Sequence, residues 1–448
     1  MSELTLHDFF NQNSQSEPSG FIPPVIKKLE DTGLPLFWLQ DHILKILYYQ
    51  GNLTGSQISD ALALPFTGVT DSVLNALKQE KLVEIKTSLG GYGEGAYQYL
   101  ITQQGIERAK NEIERNTYAG PAPVPLSVYN QAILSQGKRN KTVTKTDVDV
   151  MLKDLVLASA IVEKLGPAVN SGSSIFLYGP PGNGKTSIAR AFGGLVNQGM
   201  MYIPYSLFID GQVIKLFDEI NHTRVAPASK IDPNDPMSVV SSEKPDQRWV
   251  QIYRPFIVVG GELTLNGLDL VFNSDTKYYE APFQVKANGG SLLIDDFGRQ
   301  LVRPVDLLNR WIVPLENKID FLTLHTGKKI EIPFDVMVVF STNLPPKDLV
   351  DEAFLRRLRH KIEITDPSLQ EYRQIFIRMA ESKKIEYSDD GLAHLLREWY
   401  EKPGRKLRAS HPRDICNQIT DISRYLDVKP AMTVQLIDAA ASSFFVEL

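Results

Sequence analysis

Residues Ser173 to Gly194 read SSIFLYGPPGNGKTSIARAFGG. The first part is apolar, and Ile175, Phe176, Leu177 and Tyr178 have the length and composition of a buried strand. The next eight residues, Gly179, Pro180, Pro181, Gly182, Asn183, Gly184, Lys185 and Thr186, fit the pattern GxxxxGK(S/T) in full. A helix-forming run, TSIARAFGGLV, follows directly. That order is what a phosphate site requires. Glycines let backbone N–H groups crowd around phosphate oxygens, and the start of a helix adds positive potential there. Lys185 can reach the β- and γ-phosphates, the Thr186 hydroxyl can bind Mg²⁺, and Ser187 completes the phosphate-facing set. The stretch predicts a nucleoside-triphosphate site.

A second stretch, GGSLLIDDFGR (Gly289 to Arg299), is a hydrophobic strand that ends on two carboxylates, Asp295 and Asp296. Paired acids at the end of a buried strand are costly unless positive charge sits against them. In phosphate-loop enzymes a strand-terminal Asp holds Mg²⁺ beside the phosphates. Asp295 fits that role, with Thr186. Asp296 then sits where a base or an orienter for the attacking water belongs.

The remaining composition narrows the class. The chain has 448 residues, 43% hydrophobic and 23% charged, enough for two or three domains with real cores. A net charge of −5 gives no global pull towards nucleic acid or acidic membranes. One cysteine, Cys416, excludes a disulfide framework and a cysteine zinc cluster and reads as core, and the seven His show no metal-ligand spacing. No apolar run has the length of a membrane span, and MSELTLHDFFNQNSQSEPSG lacks the order of a secretion signal, so the expected location is cytoplasmic, without membrane insertion.

Along the chain, residues 1–34 read as a flexible arm. Residues 35–118 hold three short amphipathic helices, with a cap at Thr54 and Val69, Val73, Leu74 and Leu77 on one face of the third. Two alternating segments around LGGYGEG and a closing helix follow. This order resembles a winged-helix domain. The proline-rich AGPAPVPLS opens a linker, 119–142, and DVMLKDLVLASAIVEKL reads as one helix. Alternating strands and helices then argue for a parallel sheet wound with helices over 143–355, and 356–448 reads as mainly helical.

Together the motifs resemble the AAA+ ATPase family from about Val143 to the C-terminus. YGPPGNGKT is similar to that family's phosphate loop, and FDVMVVFSTNLPP to its sensor-1 strand, which puts Asn343 near the γ-phosphate and the attacking water. VDEAFLRRLRHKIEI looks like its arginine-finger segment, so Arg356 or Arg357 would reach the ATP of a neighbouring subunit. SHPRDICNQI looks like the sensor-2 helix, which assigns Arg413 to the bound nucleotide. FLTLHTGKKIEIPFDVMVVFSTN resembles the extra hairpin of the clade that holds MoxR-type ATPases and enhancer-binding activators. No GAFTGA-like loop occurs, which disfavours an activator of the latter type. The segment Met201 to Gly290, with VVGGELTLNGLDLVF and a polar run after Ala226, reads as an insertion facing a pore or a partner, or as a decorated surface loop.

The resemblance implies an α/β phosphate-loop AAA+ module, a parallel sheet plus a C-terminal helical lid, behind an α+β winged-helix domain. It implies ATP and Mg²⁺ as ligands, a homo-oligomeric ring, hexameric by expectation, and a protein client. One departure bears on rate. Most of the family has Glu where this chain has Asp296, although an Asp-Asp pair followed by Phe-Gly also resembles bacterial replication initiators and helicase or transposase loaders. Slow hydrolysis is expected. Leu36 to Thr117 contains seven basic and nine acidic residues, and the candidate recognition helix carries Asp71 and no base before Lys78. That is a poor footprint for a duplex, so Tyr92 and Tyr97 read as protein contacts. Nucleic acid is the runner-up partner, and an ATP-gated scaffold is the third reading.

Overall fold

A computed structural model of the chain describes residues 21–88, 93–137, 142–197, 199–226, 244–349 and 355–445. The readings made of the first twenty residues, of Tyr92, of most of the polar run after Ala226 and of Val350 to Phe354 lie outside them.

The N-terminal part forms around α1 (Leu36–Gln50), which starts at Pro35 and stops at Gly51. Then come β1 (Leu53–Thr54), α2 (Gly55–Leu62), α3 (Asp71–Gln79), β2 (Val83–Ser88), β3 (Tyr97–Ile101) and α4 (Gln103–Arg115). The strands lie in the order β1-β3-β2 and are antiparallel. Val69, Val73, Leu74 and Leu77 all enter one core with Leu39, Ile43 and Leu47 of α1. Thr54 caps α2: its hydroxyl accepts from Gln57 N at 3.2 Å while Gln57 Oε1 accepts from Thr54 N at 2.8 Å. Thr54→Ala is expected to cost about 1 kcal/mol. Hydrogen-exchange protection in α2 should fall roughly fivefold, and unchanged protection would remove the cap from the account.

Two expectations change here. Residues 21–34, assigned to the loose arm, are packed: Ile26 and Leu34 join the N-terminal core. The linker is not a spacer. It contains β4 (Val124–Pro125), paired in parallel with a later strand, and α5 (Leu126–Gln136), whose Tyr129 and Ile133 are fully buried. The proline stiffness read from AGPAPVPLS serves an edge strand, where a missing N–H is tolerated.

The single helix expected over 149–165 is two, α6 (Lys145–Met151) and α7 (Ser159–Ser171), with an irregular turn between. Next come β5 (Ile175–Tyr178), α8 (Lys185–Val196), β6 (Met200–Pro204), β7 (Ser206–Ile209), β8 (Gln212–Lys215), β9 (Trp249–Tyr253) and β10 (Phe256–Val259). After β11 (Val271–Phe272), β12 (Tyr279–Glu280) and α9 (Phe283–Lys286), the chain runs through β13 (Ser291–Ile294) and α10 (Pro304–Asn317). The hairpin β14 (Ile319–Thr323) and β15 (Lys329–Pro333) leads into β16 (Met337–Thr342), α11 (Pro346–Leu349) and β17 (His360–Glu363). The main sheet has the order β10-β13-β16-β5-β17 and is wholly parallel. β17 therefore moves the sheet's end past residue 355, because Ile362 and Ile364 bury their side chains beside β5.

The insertion is not a bare surface loop. Four of its strands, β11, β12, β8 and β7, join β4 of the linker in a second sheet of order β11-β12-β8-β7-β4, whose core also takes Leu322, Ile330 and Ile332 from the β14–β15 hairpin. The N-terminal part sits on this sheet. Val213 lies in the N-terminal core, and the Trp38 ring meets Phe208 edge-on with centroids 5.4 Å apart. Arg248 and Asp246 form an ion pair at 2.8 Å with side chains 3% and 2% exposed. The same guanidinium donates through Nη1 to the carbonyls of Thr32 (2.9 Å) and Pro123 (3.0 Å). A buried charge pair is tolerable when its remaining donors are satisfied, and these carbonyls do that.

From Ser368 the chain is helical: α12 (Leu369–Ser382), α13 (Asp389–Leu395), α14 (His411–Tyr425) and α15 (Val434–Phe444). Tyr372, Phe376, Ile415, Cys416 and Ile437 form its core, and burial pushes the Cys416 thiol up to about 12. Among the described residues no helix is long and apolar enough to cross a membrane.

Candidate nucleotide site

Parallel pairing aligns the C-terminal ends of β5, β13 and β16 at one edge of the sheet. β5 runs into the glycine-rich loop, β13 into Asp295 and Asp296, and β16 into Asn343. A cavity of about 430 Å³ opens there. Its floor is the loop from Pro181 to Ile188 with Asp295, Asp296 and Asn343, and its far wall comes from α12 and the start of α14, including Arg413.

The polar groups form two linked chains. Thr186 Oγ1 donates to Asp295 Oδ2 at 2.9 Å. Lys185 Nζ donates to the carbonyls of Gly179 and Pro180, each at 2.9 Å, and to Asn343 Oδ1 at 2.7 Å. Asn343 Nδ2 in turn donates to Asp296 Oδ1 at 3.1 Å. The amide of Asn343 thus bridges the lysine and the second aspartate. Burial lowers the Lys185 pKa, and the nearby charges of Asp296 and Asp295 oppose that shift.

The backbone explains the second acid. Asp296 has φ +49°, in the left-handed region where Asp and Asn are enriched. Its N–H is held by Asp295 Oδ1 at 3.1 Å, and Gln300 Nε2 donates to the Asp295 carbonyl at 2.8 Å. The strand end is a tight turn that suits Asp. The oxygen pair of Thr186 and Asp295 is also the donor chemistry that Mg²⁺ takes.

A family model described as a domain of unknown function (DUF8689) matches residues 368–443, the helical end of the chain. No curated protein matches the chain. Among solved structures, NtrX from Brucella abortus is 15% identical, with a TM-score of 0.38 over 64% of this chain and 56% of that one. The chain therefore spans little more than half of that protein. NtrX from Brucella abortus in complex with ADP gives 15% identity and a TM-score of 0.39 over 77% of this chain and 68% of that one. The Thermotoga maritima RuvB Holliday junction branch migration motor gives 14% and 0.38 over 65% and 71%. At such scores the chemistry has to rest on this chain's own geometry.

Arg356 and Arg357, expected to act on a neighbouring subunit, lie outside this cavity and are exposed, and Arg357 Nε donates to Glu316 Oε1 on α10 at 2.5 Å. Arg413 lines the cavity while its Nε donates to Asp414 Oδ1 at 3.0 Å. Tyr97 is half-buried against the N-terminal core, so it is a weaker candidate contact than expected. Sequence reasoning missed the apolar wall. Leu155, Val156 and Leu157 from the turn between α6 and α7 face Ile375 and Met379 of α12. Arg378 Nη1 donates to the Lys153 carbonyl at 2.8 Å and ties the two sides together. Neither glycine nor proline marks that turn, so nothing in the sequence signals it.

Proposed function

We propose that this chain is an AAA+-type ATP phosphohydrolase that works in a homo-oligomeric ring, hexameric by family analogy, and uses ATP cycles to remodel a protein partner in the cytoplasm. The observation that carries the reading is the chain Lys185–Asn343–Asp296 beside the Thr186–Asp295 pair, at the floor of a cavity with an apolar wall. The phosphate loop and Lys185 bind the β- and γ-phosphates, and Leu155, Leu157, Ile375 and Met379 suit a base. Asp296, held by Asn343, is positioned to orient or deprotonate the attacking water. Thr186 and Asp295 would hold Mg²⁺, which supplies charge neutralisation on the phosphates. Arg356 or Arg357 would act on a neighbour's ATP, and Arg413 on the chain's own.

The N-terminal part suits a protein partner better than a duplex. Two of its bases are used internally: Arg108 bonds Asp41 and Glu80, and Lys45 is buried against the Asn116 carbonyl. The test is the ATPase rate per subunit against protein concentration. A rate that climbs with concentration is expected. Measurable turnover that stays flat across the range would overturn the trans-acting arginine.

A further inference from the structure

The side of the phosphate loop away from Asp296 carries contacts that ATP binding as described leaves unused. Asn183 is 4% exposed. Both ends of its amide are engaged: Nδ2 donates to Asp366 Oδ1 at 2.7 Å, and Oδ1 accepts from Ala409 N at 3.2 Å. Arg408 Nη1 donates to the same Asp366 oxygen. Ser410 N donates to the Gly182 carbonyl at 2.8 Å. The fit is close, since a Cβ on Gly182 would stand 2.6 Å from Ser410 Oγ.

The places of these residues in the chain give the contacts meaning. Asp366 lies on the short connection between β17 and Ser368, the cap of α12, where the sheet passes into the helical region. Arg408 to Ser410 lead straight into α14, which brings Arg413 to the cavity. Phosphate loop, connection and helical region therefore meet at one carboxylate. Short connections of this kind absorb the backbone rotation when domains close on a ligand.

We propose that Asp366 and Arg408 form a latch that sets the helical region against the phosphate loop, which makes both of them positioning residues for the nucleotide. The inference rests on the ATP reading above. A charge-assisted bond is roughly twice as strong as a neutral one. The Arg408 and Asp366 side chains are 22% and 27% exposed, so solvent screens the pair only in part. A shift of the phosphate loop moves Asn183, and Asn183 moves the carboxylate that holds Arg408. The latch thereby transmits occupancy of the loop to α14.

The test is titration of the full chain with fluorescent ATP and ADP analogues, for the unaltered protein and for Asp366→Asn, Arg408→Gln, both together and Arg408→Lys. Each of the first two is expected to weaken nucleotide binding about tenfold. The double variant should be no weaker than either single one, because the two groups act as one unit. Arg408→Lys should recover most of the loss, and melting temperatures without nucleotide should not change. If Asp366→Asn lowers the melting temperature, the comparison of Arg408→Gln with Arg408→Lys decides. Unaltered affinity in both single variants, or losses that multiply in the double one, would overturn the latch alone. A wild-type chain that binds neither analogue would overturn the ATP reading and the latch with it.

Discussion

Lys185→Ala is expected to abolish ATP turnover, with kcat/KM down by about a thousandfold or more. The side chain is 7% exposed and spends its three N–H groups on Gly179 O, Pro180 O and Asn343 Oδ1. Truncation removes the Lys185 ammonium from the loop and leaves Asn343 without the donor that orients it. Asn343 then no longer holds Asp296 in place, so binding and chemistry fail together. Phosphate release and fluorescent-ATP binding measured on the same sample check this. Retention of more than about a tenth of the wild-type rate would mean that phosphate charge is neutralised elsewhere.

Asp296→Asn should separate the two effects. Asn occupies the left-handed region as readily as Asp, so the φ of +49° at this position is kept without strain. The change therefore removes a charge and a proton acceptor but not the turn. ATP affinity is expected to stay within a few-fold, while turnover falls about a hundredfold or more, the usual contribution of a positioned base. Asp296→Glu is a different experiment, because the longer side chain has to adopt a backbone that it disfavours. Equal losses of binding and turnover in Asp296→Asn would place the residue in ground-state binding rather than at the water.

What could be read from the sequence followed the spacing of strong local signals. The strand, glycine loop and helix from Ile175 to Val196, the strand that ends on Asp295 and Asp296, and the hairpin before Asn343 all stand where their patterns put them. The two strands pair in parallel within the main sheet, and the hairpin pairs antiparallel with itself, so each pairing follows from a local pattern. The failures share a different cause. Val124 and Pro125 look like linker until β7 lies beside them. The break after Met151 has no glycine or proline, and α7 starts after Ala158 without a side-chain cap. The clasp at Asn183 joins positions 183, 366 and 408, which have no relation along the chain. Arg248 is buried with its guanidinium bonded to carbonyls 125 and 216 positions away, partners that no local pattern announces.

The seating of the N-terminal part on the second sheet has a mechanical consequence. A domain on a flexible tether diffuses within a volume set by tether length, and motion of its neighbour is lost in the slack. Here the attachment is a packed face pinned by a buried guanidinium, and the same sheet shares its core with the hairpin that leads into Asn343. The N-terminal part is therefore seated without slack, and under the ATP reading proposed above a rotation at the nucleotide would act on its outer surface as on a lever arm.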